Sequence, residues 1–517
     1  MCTEIECARN RRCFDKKLSV YKRMSRWYNE IVHVHGEQHN RMLFFLFTSV
    51  HVNGRDTSDD RKYKGGSDSY IRCNRARESI LSNRGWCSNV RKILMLCLIL
   101  VWCFTLAACS SSNSSNNSDP ASGTNDEKAE LTLVWSKGDA SDAQLKDILT
   151  EFNKLYPNIK VNRIEVIGSS WGDYFNKIQT MIAGGNPPDV IRVAIEGIQM
   201  FAKQDLLLPL DEYMAADPDA LDNYDDIHKK LQSPFVIDGK TYGFVWDWNN
   251  VVMHFNTDKL KEAGLSLPPK DWTKDDFLTY AQKLTTEKDG KKTYGFAIPT
   301  YYFGASAWLF NNDASVLDDA MTTSKLDDPN AIELMQFFQD LIYKYKVAPV
   351  PNPKDDATQM LMNGQIAMMS AGKWPFSTYA KSKFTSVDVQ FLPTFKTNKV
   401  IFGSGAFPVL NSTKYPDAAY KLSAFLGGVY SQKTTLSDAS IPTRISVMKE
   451  VLPKTPASNW QVYSDSADIA KAVESPVQYA DVESIFNRYM GLILANQSDA
   501  ATAMKKAKEE IDQVLKN

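Results

Sequence analysis

Residues 246–250, with the sequence Trp-Asp-Trp-Asn-Asn, hold the densest group of side chains that could recognise a ligand. Two tryptophans flank Asp247, and Asn249 adds an amide. A sugar has apolar CH faces and a rim of hydroxyl groups, so an indole ring beside a carboxylate and an amide matches both surfaces. We expect ligand contacts from Asp247, Asn249 and one of Trp246 and Trp248, with the other tryptophan in the core.

Further candidate contacts either follow a predicted strand or stand out as aromatic or charged groups. Ligands of open α/β sheets bind beyond the carboxyl ends of the strands, which favours polar and aromatic residues at those positions. A second aromatic group lies at residues 301–308, and one of only four arginines beyond the last cysteine follows Ile-Pro-Thr. The additional candidates are Lys137, Asp139, Trp171, Glu196, Tyr302, Trp308 and Arg444.

Motifs of catalysis are missing from the sequence. It contains no GxSxG elbow, P-loop, GxGxxG or HExxH. Beyond Cys109 there are two histidines, His228 and His254, and no cysteine, so we expect no metal site and no cofactor. A glycoside hydrolase needs two carboxylates at a defined separation, and the sequence leaves that alternative open. We expect a binding protein and not an enzyme.

The elements that position these candidates alternate between strands and helices. Apolar runs predict strands at 131–135, 159–167 and 189–193, and helical periodicity predicts helices at 143–155 and 173–183. This order is typical of an α/β lobe with a mostly parallel sheet.

Residues 91–109 have the layout of a secretory signal. A basic pair precedes an apolar run of about thirteen residues, and Leu-Ala-Ala-Cys ends at Cys109. The ending resembles a bacterial lipobox, which implies a signal peptide at 90–108 and a lipid on Cys109. A signal anchor or a buried helix is the alternative. The Ser/Asn-rich stretch that follows predicts a linker over 109–130.

The residues before this signal differ from the rest in composition. Residues 1–108 hold 13 Arg and 6 Lys against 10 acids, a net charge of +9, whereas residues 110–517 hold 41 basic residues against 51 acids, a net charge of −10. We expect residues 1–89 to be a non-native upstream extension, with translation starting near Val90 or Met95. A nucleic-acid-binding or metal-binding segment is the alternative. The acidic part, with eight tryptophans, suits a small ligand better than nucleic acid.

Short motifs in a fixed order carry a resemblance to a known family over about residues 130–515. They include Ala-Gly-Gly-Asn-Pro-Pro-Asp-Val at 183–190 and Asp-Gly-Lys-Thr-Tyr-Gly-Phe at 238–244. Later motifs are Asn-Gly-Gln-Ile-Ala-Met at 363–368, Gly-Lys-Trp-Pro at 372–375 and Gly-Ser-Gly-Ala at 403–406. Together they resemble the family 1 extracellular solute-binding proteins, the sugar receptors of ABC importers.

The resemblance implies a type II periplasmic-binding-protein fold of two α/β lobes with a mostly parallel sheet in each. Lobe one would comprise 131–246 plus 401–450, and lobe two 252–395 plus 455–517, with hinge crossings near 246–251, 396–401 and 452–458. It also implies a sugar-stacking role for Trp374 and a cleft position for Ser404. We expect Trp374 and the 246–250 cluster to meet the ligand from opposite sides of one cleft.

The function implied by the resemblance is capture of a carbohydrate, expected to be an oligosaccharide, for an ABC permease. The protein would be a monomer on the outer face of the bacterial cytoplasmic membrane, anchored through Cys109 and without a nucleic-acid partner. Three alternatives remain: the same scaffold with a polyol, glycerol phosphate or uronate oligomer as ligand, a signalling or adhesion lipoprotein, and a lipid-anchored glycoside hydrolase. The scarcity of arginine argues against a highly anionic ligand.

Overall fold

The predicted alternation of strands and helices is present in the computed structural model, which describes residues 128–138, 140–436 and 439–516. The expectations for residues 1–89, for the signal peptide at 90–108, for Cys109, for most of the linker and for Asp139 lie outside the described residues. Residues Ser122–Asn517 form one compact unit by the density of their contacts. No helix of the described residues is both long and apolar enough to cross a membrane.

The strands of the described residues are short, and most are buried. They are β1 (Ala129–Ser136), β2 (Ile159–Val166), β3 (Val190–Ile191), β4 (Val193–Ala194), β5 (Val236–Ile237), β6 (Lys240–Thr241), β7 (Val245–Asn250), β8 (Val252–Asn256), β9 (Thr286–Lys288), β10 (Lys291–Ala297), β11 (Ile366–Ala371), β12 (Val387–Gln390), β13 (Val400–Ala406), β14 (Ile441–Pro442) and β15 (Ala470–Ala472).

The α-helices of the same part of the chain are α1 (Asp142–Leu155), α2 (Trp171–Ala183), α3 (Ile195–Lys203), α4 (Asp211–Ala216), α5 (Lys229–Gln232), α6 (Thr257–Glu262), α7 (Lys274–Leu284), α8 (Tyr302–Asn311), α9 (Pro329–Tyr343), α10 (Ala357–Met362), α11 (Pro375–Lys381), α12 (Pro416–Leu426), α13 (Val429–Thr435), α14 (Ile445–Val451), α15 (Gln461–Asp465), α16 (Tyr479–Leu494) and α17 (Ala500–Val514). Short 3₁₀ helices lie at Pro218–Leu221, Tyr224–Asp226, Ser233–Phe235 and Leu452–Lys454.

Helix α1 shows how local sequence sets an element. Ser141 accepts a hydrogen bond from the backbone N–H of Gln144, and the Gln144 side chain binds back to the Ser141 N–H, which forms a capping box. Its buried face consists of Leu145, Ile148 and Phe152, at helical spacing. The apolar face predicted from the sequence therefore faces the core.

The first sheet is parallel, as expected. Strand β1 lies between β2 and β3 and runs parallel to both, with Ala129 opposite Ile159 and Leu133 opposite Val190. Helices α1 and α2 follow β1 and β2 and pack back on the sheet, which is the usual connection between parallel strands. This arrangement brings the carboxyl ends of β1 and β2 to one edge.

The other two large sheets are mixed, which corrects the expectation of a mostly parallel sheet in each lobe. Strand β13 is antiparallel to β7 and to β4 and parallel to β15. In the sheet of order β12-β8-β11-β10-β9, only β10 and β11 run parallel. Long apolar runs reveal strands that are buried on both faces, but they do not reveal strand direction.

The α/β class and the two-lobe type II architecture are confirmed. One group of sheets contains β1 to β4, β7, β13 and β14, and the second five-stranded sheet contains β8 to β12. Strands β7 and β8, which belong to different sheets, are separated by Val251 alone. The lobe boundaries themselves stay a prediction, and β15, from the range expected in lobe two, pairs with β13.

Candidate functional site

A cavity of about 450 Å³ lies where the ends of several elements meet, and we call it the aromatic cavity. Its rings are Trp171, Tyr301, Phe303, Trp374 and Tyr479. Its charged residues are Arg192, Glu196, Asp247 and Glu483. Small polar side chains are Ser169, Ser170, Asn249, Ser404 and Ser440. This volume suits a small ligand of the size of one or two sugar rings.

The exposed ring of Trp374 forms one wall of the aromatic cavity. Trp374 precedes α11, is 37% exposed, and has its ring centroid 6.3 Å from that of Tyr301 and 6.4 Å from that of Phe303. A Cβ atom at Gly372 would lie 2.1 Å from a ring carbon of Trp374. The glycine of the Gly-Lys-Trp-Pro motif therefore leaves the space in which this indole lies.

Another part of the wall begins at the N-terminus of α2. Trp171 is the first residue of that helix and stacks on Phe175 with a centroid distance of 5.7 Å and an interplanar angle of 16°. Ser170 caps the helix by accepting a hydrogen bond from the Asp173 backbone N–H. The cap and the stacking fix the position of the Trp171 indole in the cavity wall.

Arg192 and Asp247 form a buried ion pair in the wall. The Nη2–Oδ1 distance is 2.7 Å, and both side chains are almost fully buried. The guanidinium also lies 5.1 Å from the ring centroid of Trp246 and 5.6 Å from that of Trp171. Because a Cβ at Gly405 would come within 1.6 Å of Arg192 Nη1, only glycine admits the guanidinium at this point.

Asn249 is held in place on β7 by two partners. Its Nδ2 donates to Ser440 Oγ at 3.0 Å, and its Oδ1 accepts from the Lys373 backbone N–H at 2.8 Å. The amide thus links β7 to the segment before Trp374 and to the residue that precedes β14. Ser404, on β13, donates from Oγ to the Leu231 carbonyl at 3.2 Å.

Two glutamates approach the aromatic cavity from different elements. Glu196, in the first turn of α3, is 3% exposed, and its Oε2 has no hydrogen-bond partner. Burial, with a further contribution from Glu483, raises the pKa of Glu196 to about 8, although Arg192 opposes the shift. Burial also raises the pKa of Glu483 and of Asp247 above their ordinary values.

Glu483 on α16 connects to α2. Its Oε2 accepts the Gly172 N–H at 3.2 Å, and its Oε1 accepts the Tyr479 hydroxyl at 3.3 Å. The hydroxyl of Tyr301, by contrast, is buried without a hydrogen-bond partner, and burial raises its pKa. Glu196 Oε2 and Tyr301 Oη are therefore two polar atoms in the cavity wall that a ligand could satisfy.

Six of the residues proposed from the sequence come together here: Trp171, Glu196, Asp247, Asn249, Trp374 and Ser404. Their contact with ligand stays a prediction. Trp374, Asp247 and Asn249 line the same cavity, and their approach to a ligand from opposite sides stays a prediction. Among the residues that the structure describes, no group of three or more His, Cys, Asp and Glu side chains is placed to hold a metal ion.

Both tryptophans of the 246–250 cluster lie in the core, which corrects the expectation that one of them reaches the ligand. Trp246 packs on Trp135 and donates from Nε1 to Thr435 Oγ1 at 3.1 Å. Trp248 donates from Nε1 to the Pro442 carbonyl at 3.1 Å. Side chains two residues apart on a strand point to the same face, so both indoles turn inward while the acid and the amide turn to the cavity.

Tyr302 and Trp308 of the second aromatic group are also core residues. Tyr302 packs edge-on against Tyr479 and Phe486. Trp308 donates from Nε1 to Ser370 Oγ at 3.0 Å and is surrounded by phenylalanines. Tyr301 and Phe303, on either side of Tyr302, line the cavity instead. Helix α8 begins at Tyr302, and the Tyr302 ring lies in the core.

Arg444 and Lys137 lie away from the aromatic cavity. The Arg444 guanidinium donates to the carbonyls of Leu221, Asn223 and Gly427 at 2.8–3.0 Å, so it ties loops together. Lys137 is exposed in the turn after β1. Asp139, two residues later, is not among the described residues.

The sequence did not single out Arg192, Ser440, Tyr479 and Glu483, and from the second aromatic group it chose Tyr302 and Trp308 where the cavity has Tyr301 and Phe303. Arg192 left a signal, since a charge in the middle of a buried strand needs a partner. Tyr479 and Glu483 are four residues apart on one face of α16. Nothing in the local sequence links that face to Gly172, which Glu483 contacts across 311 residues of chain.

Comparison with known proteins gives a consistent result. The family model described as bacterial extracellular solute-binding protein matches residues 136–432. A putative binding protein of Brucella abortus is 26% identical over 234 residues, which cover 43% of this chain and 53% of that protein. The chain thus matches about half the length of the Brucella relatives.

Two further matches cover more of the chain. The maltotriose-binding protein of Pyrococcus abyssi is 22% identical over 70% of this chain and 82% of its own length. The ABC substrate-binding protein Lmo0181 of Listeria monocytogenes, solved in complex with cycloalternan, superposes with a TM-score of 0.70. It is 26% identical, and the match covers 75% of this chain and all of that one.

Proposed function

The chain belongs to the bacterial extracellular solute-binding proteins, which work outside the cytoplasm, and from that premise we propose that it captures a carbohydrate in the aromatic cavity and delivers it to the permease of an ABC importer. The relatives named for maltotriose and solved with cycloalternan support the choice of a carbohydrate. The family and these relatives are binding proteins, and we propose that this chain likewise binds its ligand without converting it.

The observation that carries the proposal is the composition of the cavity wall. The partly exposed ring of Trp374 offers an apolar plate for the CH face of a sugar. Glu196 Oε2 and Tyr301 Oη lack partners, so hydroxyl groups of a ligand could satisfy both. Asn249, held by Ser440 and Lys373, presents a polar edge that needs no reorganisation on binding.

Capture would work through closure of the two lobes. The cavity wall combines β7 residues with Trp374, which comes from the range expected in lobe two. A ligand that contacts both sides only when the lobes are together shifts the balance towards that arrangement. The Gly172–Glu483 hydrogen bond between α2 and α16 would then form and break with closure.

The remaining elements of the proposal concern placement of the protein. We propose that Cys109 carries the lipid anchor, that permease subunits are the protein partners, and that the receptor is a monomer. The Leu-Ala-Ala-Cys ending of the apolar run supports the anchor. Palmitate or a related acyl chain on Cys109 would keep the receptor at the outer face of the membrane.

An anionic ligand fits the cavity poorly. The described part of the lining has three carboxyl groups and one guanidinium, and that guanidinium already pairs with Asp247. A uronate oligomer or a glycerol phosphate would therefore lie beside acidic groups, with no cation in this lining except the one that Asp247 already binds. We accordingly favour a neutral or basic carbohydrate over these alternatives.

A thermal-shift screen of mono- and oligosaccharides tests the proposal. A ligand present at 100 times its dissociation constant adds about 2.7 kcal/mol of stability, which raises the melting temperature measurably. We expect at least one sugar to do so and isothermal titration to give one site per chain. A broad panel in which no sugar stabilises the protein would contradict carbohydrate capture.

The glycoside hydrolase alternative needs a control of its own. Three carboxyl groups line one cavity, and burial raises the pKa of Glu196 to about 8, as in a general acid. A glycoside hydrolase would release products from a bound oligosaccharide. We expect chromatography to recover the ligand unchanged after prolonged incubation. Release of shorter sugars that stops in Glu196→Gln would support the hydrolase instead.

A further inference from the structure

The charges in the wall of the aromatic cavity do not balance. Arg192 is the one cation among the described lining residues, and its Nη2 binds Asp247 at 2.7 Å. Glu196 and Glu483 remain, and neither forms an ion pair within the part of the chain that the structure describes. Two acids without a cation are unusual in a buried wall, because burying a charge is costly unless it is paired.

Glu196 is the acid whose geometry points to a ligand. Its side chain is 3% exposed, and its Oε2 accepts no hydrogen bond, although the atom belongs to a residue in the cavity wall. Glu483 differs, because both of its oxygens accept hydrogen bonds, from Gly172 N–H and from the Tyr479 hydroxyl. Glu196 Oε2 is therefore the carboxyl oxygen that lacks a hydrogen-bond partner, and Glu483 is the second acid in the same wall.

The rest of the wall suits a cation as well. Trp374, Tyr301 and Phe303 line the same cavity, and the ring centroids of Tyr301 and Phe303 lie 6.3 Å and 6.4 Å from that of Trp374. Aromatic faces attract cations through their quadrupoles, and the attraction is stronger in a desolvated site. A wall of rings and unpaired carboxyl groups can recognise an ammonium group better than it can recognise a hydroxyl group.

We propose that the preferred ligand is an amine-bearing sugar, whose ammonium group binds Glu196 within the ring of aromatic side chains. The proposal rests on carbohydrate capture and names the chemical class of the sugar. A free amino group gives the Oε2 atom a charged donor, and its positive charge balances the carboxylate that Glu196 forms when the amine binds. An N-acetylated sugar lacks this charge and brings a bulkier group to the same point.

Burial, together with Glu483 and Asp247, raises the pKa of Glu196 to about 8, while Arg192 opposes the shift. The groups that face Glu196 are these three and the hydroxyls of Tyr302 and Tyr479. Near neutral pH the empty site therefore holds a proton on Glu196. A bound ammonium group favours the ionised carboxylate, so binding of an amine releases about one proton, whereas binding of a neutral sugar releases none.

The test compares sugars that differ at one position. The full chain is titrated calorimetrically with glucose, glucosamine and N-acetylglucosamine, and with the β-1,4-linked dimers of the same three sugars. Each titration is run at pH 6.5, where the amine is protonated, in two buffers of different ionisation enthalpy. We expect the amine to bind at least about tenfold more tightly than its hydroxyl and N-acetyl counterparts, a difference of about 1.4 kcal/mol, with proton release for the amine alone.

Two variants locate the effect. In Glu196→Gln the ratio of amine to hydroxyl affinities should fall to about one, and the proton release should disappear. Glu262→Gln is the matched control, because Glu262 is exposed on α6 and pairs with Lys259 outside the cavity wall. It should keep the wild-type ratio.

The outcomes separate the two proposals. If neutral sugars bind at least as well as amines, the preference for an amine is wrong and carbohydrate capture stands. If an amine preference persists unchanged in Glu196→Gln, the assignment to Glu196 is wrong. If no sugar of either kind binds, the amine proposal falls, and a negative broad screen would remove carbohydrate capture with it.

Discussion

Trp374 and Trp246 differ in their surroundings more than in their local sequence. Each follows or begins a buried strand, yet Trp374 is 37% exposed beside the aromatic cavity and Trp246 is fully buried between Trp135 and Arg192. At the scale of single residues, exposure at a cavity wall separates a side chain available to a ligand from one that holds the core. Substitutions of the two should therefore act on different quantities.

We expect Trp374→Ala to weaken sugar binding by about thirtyfold, since loss of a buried aromatic anchor often costs about 2 kcal/mol. Its melting temperature should change little, because the ring is partly exposed in the unliganded protein. Trp246→Ala is the contrasting variant, and it should lower the free energy of unfolding by about 3–5 kcal/mol. Titration calorimetry with melting curves measures both, and wild-type affinity in folded Trp374→Ala would refute its place in the site.

Glu196 gives a pH-dependent prediction whose sign follows from its raised pKa. Folding raises that pKa from 4.5 to about 8, so the folded state holds the proton more tightly than the unfolded state. Its contribution to stability is complete below pH 4.5 and is lost as the pH rises through 8. Glu196→Gln has no such loss, so its melting temperature relative to wild type should increase between pH 5 and pH 8.

Melting curves of the two proteins at several pH values check this, and an increase of about 1 °C would correspond to roughly 1 kcal/mol in a unit of this size. Other buried acids, such as Glu474 with a pKa raised to about 7 by burial, titrate in both proteins and cancel in the difference. A difference in melting temperature that stays constant with pH would show that Glu196 ionises normally.

At the scale of elements, the contact of α2 with α16 decides how closely the cavity walls approach. Gly172 lies at that contact: a Cβ atom there would come within 2.9 Å of Glu483 Oε2 and 3.0 Å of Ala480 Cα. The backbone of α16 cannot yield as a side chain can. The absence of a side chain at Gly172 therefore permits the two helices to meet.

We expect Gly172→Ala to separate α2 from α16 and to weaken ligand binding about five- to tenfold, which is roughly 1 kcal/mol. Gly491→Ala is a matched control on α16, because nothing lies within 4 Å of a Cβ at that position. An alanine inside a helix should stabilise the fold by about 0.5–1 kcal/mol and leave affinity unchanged. Equal affinities in the two variants would show that the helix contact does not govern binding.

At the scale of the whole molecule, the unit Ser122–Asn517 holds every residue of the aromatic cavity. We expect a fragment that contains this unit alone to fold and to bind sugar with the affinity of the full chain. Parallel titrations of the two proteins check this. A fragment that melts at a much lower temperature would show that residues before 122 contribute to the fold.

The anchor prediction also belongs to this scale. Cys109→Ala should abolish incorporation of a labelled fatty acid and leave the protein unprocessed or free of the membrane. Mass spectrometry of the native protein should find Cys109 at its N-terminus and no peptides from residues 1–89. Unchanged lipid labelling in Cys109→Ala would remove the anchor from the proposal.

The sequence alone determined the elements and much of the cavity wall. Apolar periodicity defines α1 within one residue and β1 within two, since this signal is local. Polar residues after buried strands pointed to Glu196, and the aromatic–amide cluster pointed to Asp247 and Asn249. Motif order was specific enough to indicate the family, which the family model confirms.

Only the tertiary structure decided which aromatic rings face the cavity and what lies opposite them. Strand β7 is covered on both faces, so an alternating pattern could not tell a ligand-facing tryptophan from a core one. Where α8 begins, Tyr301 lines the cavity and the next residue, Tyr302, lies in the core. Neighbouring residues point in different directions, so the sequence alone could not choose between these two rings. Glu483 meets Gly172 across 311 residues of chain, and no local pattern carries information about so distant a contact.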